Sequence, residues 1–207
     1  MEKIKNNSLY LVISEEYGRG RSALDIARGS IAGGVDIIQM REKDKPREAL
    51  ISLGRELADM CRKNGVIFIV NDDPEIAKEI AASGVHLGQG DLKLFPVKST
   101  RKIVGKDGMI GVSTHSIEQF EAANDEDVDY IAFGPIFPTL TKNYCIGAND
   151  VAKVLKAAKK PVFFIGGIDL SNIGELVKKG ARNIAVIRAI LEADDIKLKT
   201  EEIKRWL

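Results

Sequence analysis

Apolar residues along this chain gather in short blocks separated by longer amphipathic stretches. The blocks are Leu9–Ile13, Asp36–Met40, Val66–Val70, Val85–Leu87, Met109–Val112, Tyr130–Phe133, Val162–Ile165 and Asn183–Ile187. Most are rich in Val and Ile and flanked by Gly or Asn, the composition of strands covered on both faces in a parallel sheet. Between them the spacing becomes helical. Ser22–Ala32 opens on a capping serine, and Arg47–Lys63 carries Ala49, Leu50, Leu53, Leu57, Ala58 and Met60 on one stripe. Pro74–Ala82 has proline in its first turn, and Ser116–Asn124 opens Ser-Ile-Glu-Gln. Asp150–Lys159 reads as a further helix, and Ser171–Lys179 stops at Gly180.

Eight strands alternating with helices in 207 residues predict an α/β fold, a single (β/α)8 TIM barrel over residues 1–207. Periodicity alone also admits a doubly wound open sheet. No Gly-x-Gly-x-x-Gly opens a helix after the first strand, which weakens a dinucleotide-binding version of that sheet. In a barrel, chemistry belongs at the C-terminal ends of the strands.

Composition narrows the partners. With 31 basic and 30 acidic residues the net charge is +1, so no bulk field points to nucleic acid or a membrane surface, and an anion site must be local. No apolar run reaches a membrane span, and the polar Met1–Ser8 is unlike a signal, so a cytoplasmic protein is expected. Cys61 and Cys145 make neither a disulfide framework nor a metal-ligand spacing. A homo-oligomer is left open.

Polar residues collect where the strands end. In Gln39-Met40-Arg41-Glu42-Lys43, alternation puts Gln39, Arg41 and Lys43 on one face, an amide and two cations suited to a phosphorylated ligand. The same run also reads as a solvated mixed-charge turn. Asp72 in Asn71-Asp72-Asp73-Pro74 and Asp91 in Gly88-Gln89-Gly90-Asp91 follow the third and fourth strands, as hard ligands able to share Mg²⁺ with ligand phosphates. Either alone is also ordinary turn or helix-cap chemistry. Ser113 and His115 follow the fifth strand two apart, with His115 a ligand contact or an acid–base group, and His86 reads as structural. Phe133 to Gly147 reads as a lid whose Thr139, Thr141 and Lys142 offer hydroxyls and a cation to an anion. Gly166-Gly167 lets backbone N–H groups approach a phosphate, and Arg188 closes the last strand beside it.

In this order the segments resemble the thiamine phosphate synthase family. The resemblance runs from Leu9-Tyr10-Leu11-Val12 to Ile184-Ala185-Val186 and includes Gly84-Val85-His86-Leu87-Gly88-Gln89-Gly90-Asp91, Gly134-Pro135-Ile136-Phe137-Pro138-Thr139-Leu140-Thr141-Lys142 and Ile165-Gly166-Gly167-Ile168. It implies a βα barrel joining hydroxymethylpyrimidine pyrophosphate to a thiazole phosphate, with Mg²⁺, to give thiamine phosphate and pyrophosphate. By position it puts Arg41, Lys43, Asn71 and Lys142 on the pyrophosphate, Asp72 and Asp91 on Mg²⁺, and Gln39 and Ser113 at the pyrimidine. Arg41, Lys43, Ser113 and Lys142 would be catalytic, and Thr139, Thr141, Gly167, Val186, Ile187 and Arg188 would line the thiazole phosphate site. The chain departs from the family at Arg188, where Ser is usual, at Asp73, where Arg often stands, and at Ala148, where Leu is usual. The alternatives are a thiazole tautomerase-like isomerase relying on His115, and a non-catalytic binder of thiamine-pathway phosphates.

Overall fold

In the computed structural model, which describes residues 4–139 and 144–207, eight parallel strands close into a barrel in chain order. They are β1 (Leu9–Ile13), β2 (Ile37–Met40), β3 (Ile67–Asn71), β4 (Gly84–Leu87), β5 (Met109–Thr114), β6 (Tyr130–Phe133), β7 (Val162–Ile165) and β8 (Ile184–Val186). Closure comes from β8 pairing with β1, where Tyr10 lies opposite Ala185, so the open-sheet alternative does not apply. Each predicted strand is present within two residues of its expected bounds at either end.

Alternation along the strands sorts side chains into two cores. Tyr10, Val12, Ile37, Ile67, Ile69, Met109, Tyr130, Phe163 and Ala185 fill the barrel interior. Leu9, Leu11, Ile13, Ile38, Met40, Phe68 and Val70 face outward into the layer that the helices cover. Gln39, His86 and Ser113 occupy inward positions near the C-terminal ends of β2, β4 and β5, so the pleat that fills the barrel also aims polar groups at one mouth.

The outer layer holds α1 (Ala23–Ala32), α2 (Arg47–Lys63), α3 (Pro74–Glu79), α4 (Val97–Val104), α5 (Ile117–Asp125), α6 (Val151–Ala157), α7 (Ile173–Lys178), α8 (Arg188–Leu191) and α9 (Ile196–Lys204). Ser22 caps α1 by accepting from Asp25 N, and Ser116 caps α5 by accepting from Gln119 N, as expected. In α2 the buried positions are Gly54, Leu57, Ala58 and Cys61, one helical stripe against the barrel. Truncating the fully buried Leu57 to Ala would cost about 2–5 kcal/mol.

Three helices were not foreseen. Helix α4 is rich in β-branched and basic residues and buries only Val97 and Thr100. Helix α8 is a single turn. Helix α9 does carry a signal, Asp195 capping through Leu198 N ahead of buried Ile196, Thr200 and Ile203.

Candidate active site

A cavity of about 560 Å³ opens at the C-terminal ends of the strands. Its walls take residues from both sides of the barrel: Gln39, Arg41, Lys43, Asn71, Ser113 and His115 from one arc, Thr139, Gly167, Val186, Ile187 and Arg188 from the other. These expected residues therefore meet in one place. Thr141 and Lys142 lie outside the described residues.

Beyond β2 the chain keeps its alternation. Arg41 N donates to Ile13 O (3.0 Å), which extends the β1–β2 pairing by one step. Glu42 turns away to accept from Glu15 N (2.8 Å), and Lys45 pairs with Glu15 (2.7 Å). Arg41 and Lys43 are left facing the cavity, and among the described residues neither makes an ion pair with a carboxylate. Lys43 and Asp44 are exposed while Arg41, Glu42 and Lys45 are partly buried, so the run is not wholly a solvated turn.

Asp72 and Asp91 stand just outside the lining, beside Arg41 and Lys43. Asp72 has φ 67°, in the left-handed region that a non-glycine residue rarely adopts. Its N–H donates to His86 O (2.8 Å), which fixes this turn onto the end of β4. Burial pushes the Asp72 carboxyl up to about 6, reinforced by the facing Asp91 carboxyl and partly offset by Lys43 and Arg41. Asp91 meanwhile accepts from Gly88 N (2.8 Å). The helix-capping reading belongs to Asp73, whose carboxylate accepts from Glu75 N and Ile76 N and pairs with Arg47. Asp72 is thus released from capping.

Two hard oxygen ligands pressed together in a half-buried pocket repel one another, and a divalent cation between them would relieve that repulsion. Among the described residues no group of three or more His, Cys, Asp or Glu side chains could hold a metal by itself. The donor set fits an ion whose remaining ligands are water and phosphate oxygens, the habit of Mg²⁺.

His115 is anchored: its Nδ1 donates to Gly134 O (2.5 Å) and its backbone N–H to Gln119 Oε1 (2.8 Å). In a neutral ring this leaves Nε2 as the acceptor. His86, expected to be structural, instead faces inward and lines the cavity. Its neighbour Tyr10 lines the same cavity, and Tyr130 packs behind both; the sequence pattern marks these two only as strand residues.

On the far arc, Gly166 and Gly167 have φ 99° and 64°. A Cβ on Gly167 would lie 2.4 Å from Pro138 O, so the loop after β6 presses directly on this turn. That loop is held where it leaves and returns, by Ile146 N to Pro135 O (2.9 Å) and Gly147 N to Ile136 O (3.1 Å). Arg188 begins α8 with its guanidinium 4.5 Å from the centre of the Tyr17 ring. Its Nε lies 3.5 Å from Glu192 Oε1 and is the one buried side-chain polar atom without a hydrogen-bond partner among the described residues.

The sequence profile described as thiamine monophosphate synthase matches residues 9–190. A thiamine-phosphate synthase of Persephonella marina is 40% identical over 199 residues, covering 95% of this chain and 94% of the relative. One from Methanocella arvoryzae is 37% identical over 199 residues, covering 95% and 92%. Among solved structures, a thiamine phosphate pyrophosphorylase from Pyrococcus furiosus superposes with a TM-score of 0.88 at 31% identity, over 97% of this chain and 95% of that one.

Proposed function

This chain belongs to the thiamine monophosphate synthase family, and from that premise we propose how its cavity performs the transfer. It is a transferase of thiamine biosynthesis, and the reaction joins hydroxymethylpyrimidine pyrophosphate to a thiazole phosphate. One observation supports the reading: two facing carboxyls, Asp72 and Asp91, beside two cations, Arg41 and Lys43, at the mouth of the barrel.

Arg41, Lys43 and Asn71 bind the pyrophosphate, with Asp72 and Asp91 as the protein ligands of Mg²⁺. Bound there, Mg²⁺ supplies positive charge that stabilises the departing pyrophosphate. The bond between the pyrimidine methylene and the pyrophosphate oxygen breaks, and its electron pair leaves with the pyrophosphate. Arg41 and Lys43 face the charge that develops on that oxygen and lower the barrier to its departure. Gln39 and Ser113 hold the pyrimidine so that the cation-like methylene meets the thiazole nitrogen, whose lone pair forms the new bond. No protein nucleophile takes part. His115, with Nδ1 committed to Gly134 O, serves as an acceptor toward the ligand.

The thiazole phosphate is placed on the far arc, at Thr139, Gly167, Val186, Ile187 and Arg188. Arg188 takes the role of the family's usual serine: its Nε has an unmet hydrogen bond, and Tyr17 holds the guanidinium plane. Thr141 and Lys142 are assigned to the phosphates by resemblance alone.

Purified protein incubated with both substrates and Mg²⁺ is expected to form thiamine phosphate and pyrophosphate, and Asp72→Ala to abolish this. Folded wild-type protein that makes no product would overturn the proposal.

A further inference from the structure

The floor of the cavity holds an unbroken chain of side-chain hydrogen bonds that the reaction above leaves without a task. Gln39 Nε2 donates to Tyr10 Oη (2.7 Å), and Tyr10 Oη meets Tyr130 Oη (2.9 Å). Tyr130 Oη meets His86 Nδ1 (3.1 Å), and His86 Nε2 meets Ser113 Oγ (2.8 Å). Its two ends, Gln39 and Ser113, both line the cavity.

Packing holds the links rigid. Phe163 stands edge-on to both tyrosine rings, with centroids 5.2 and 5.6 Å away. His86 stacks on Tyr130 at 5.6 Å with planes 26° apart. The barrel wall omits a side chain to seat this phenol: a Cβ on Gly111 would lie 2.4 Å from the Tyr130 hydroxyl. Substituting Gly111 would therefore displace the chain's central link.

A phenol has one proton, and a neutral imidazole has one donor and one acceptor nitrogen. The His86 ring is buried and each of its nitrogens meets a hydroxyl rather than a carboxylate, so this chain holds the ring in its neutral form. Each link then dictates the next. With the Gln39 amide donating, Tyr10 donates to Tyr130, Tyr130 to His86 Nδ1, and His86 Nε2–H to Ser113 Oγ. The serine proton is left for the cavity, while Gln39 presents its oxygen. Turning the amide over reverses every link, so that Gln39 offers N–H and Ser113 offers a lone pair. In each state the chain commits one group at each end, and the groups it leaves free have opposite character: the amide oxygen with the serine proton, or the amide N–H with a serine lone pair.

We propose that Tyr10, Tyr130 and His86 are positioning residues that force Gln39 and Ser113 to present opposite hydrogen-bonding characters, so the site selects a ring edge with one donor and one acceptor. The inference rests on the synthase reading of this cavity. An aminopyrimidine meets the requirement, its amino group donating and its adjacent ring nitrogen accepting. A methoxypyrimidine offers two acceptors and leaves lone pair against lone pair at one end.

Calorimetry with the thiazole partner withheld and Mg²⁺ present tests this, using hydroxymethylpyrimidine pyrophosphate, its methoxy analogue and inorganic pyrophosphate. Wild-type protein is expected to prefer the amino compound by roughly tenfold or more, the worth of one hydrogen bond left unmade. Tyr130→Phe frees the two ends to orient independently and shrinks the preference to about twofold. Tyr10→Phe does the same, and the double variant loses no more than either single one, because a chain is broken only once. Unchanged affinity for inorganic pyrophosphate shows that the variants retain the folded mouth. A preference that survives both single substitutions, or losses that add, would overturn the inference. Wild-type protein that binds the amino compound no better than inorganic pyrophosphate would instead overturn the synthase reading beneath it.

Discussion

The two ends of this barrel carry similar residues and treat them in opposite ways. At the N-terminal end of the strands, Asp36 Oδ2 accepts from Leu9 N (2.7 Å) and pairs with Lys204 (2.5 Å). Asp129 Oδ2 accepts from Ile110 N (2.8 Å) and pairs with Arg101 (2.7 Å). Even the hollow of about 410 Å³ at that end is bordered by Asp36 with its charge already matched. At the C-terminal end, Asp72 faces another carboxyl from a left-handed backbone, and the buried Arg188 Nε makes no hydrogen bond among the described residues, with Glu192 Oε1 3.5 Å away. Carboxylates matched to cations tie strands together, whereas carboxyls set against each other by the same scaffold await a ligand.

The sharpest way to break this contrast is to make equivalent changes at both ends. Asp91→Asn removes one of the two carboxyls proposed to hold Mg²⁺, and kcat/KM for thiamine phosphate formation is expected to fall by about 10²–10³. Added Mg²⁺ should recover part of that loss in a titration. Asp36→Ala, at the other end, removes a carboxylate that serves a backbone N–H and an ammonium. It is expected to destabilise the fold by about 2 kcal/mol in urea unfolding and to leave kcat/KM unchanged. A reversal of these two results would erase the distinction between the ends.

Arg188 sharpens the contrast within the mouth itself. Arg188→Ser installs the serine expected there from the family resemblance and removes a guanidinium proposed to bind phosphate, from a place bordered by Tyr17 and Glu192. KM for the thiazole phosphate is expected to rise about tenfold, with the affinity for inorganic pyrophosphate unchanged. Equal weakening of both ligands would place Arg188 in the pyrophosphate half instead.

The fold was legible in the sequence because strands buried on both faces leave continuous Val- and Ile-rich runs. The charged part of the site was legible too, since Gln39, Arg41 and Lys43 keep period-two spacing beyond the last residue of β2. The hydrogen-bonded floor was not. In a run that is apolar on both faces, nothing local tells which face turns inward, so Tyr10, Tyr130 and His86 looked like core residues. Closing the ring of strands settles the question, because Tyr10 must then lie opposite Ile37 and Ala185. The left-handed turn at Asp72 was hidden for another reason. Three consecutive polar residues before Pro74 all suit a helix cap, and only the structure assigns that task to Asp73.

The smallest effect follows from this turn. In metal-free protein the folded-state carboxyl of Asp72 titrates at about 6, above its ordinary value of 3.8. The folded state therefore holds the proton more tightly than the unfolded chain, and stability from this group is present in acid and lost as the pH rises toward 6 and beyond. Asp72→Asn removes the charge without removing the volume. At pH 8 it is expected to raise unfolding stability by about 1 kcal/mol, a figure reduced for the solvent that reaches the half-buried group. At pH 4 the variant and the parent should unfold together. Saturating Mg²⁺ should cancel the advantage at pH 8, because the parent then gains binding energy that the variant forgoes. Should Asp72→Asn destabilise the metal-free protein at pH 8, the two carboxyls would be part of the scaffold, and the difference between the barrel's ends would vanish.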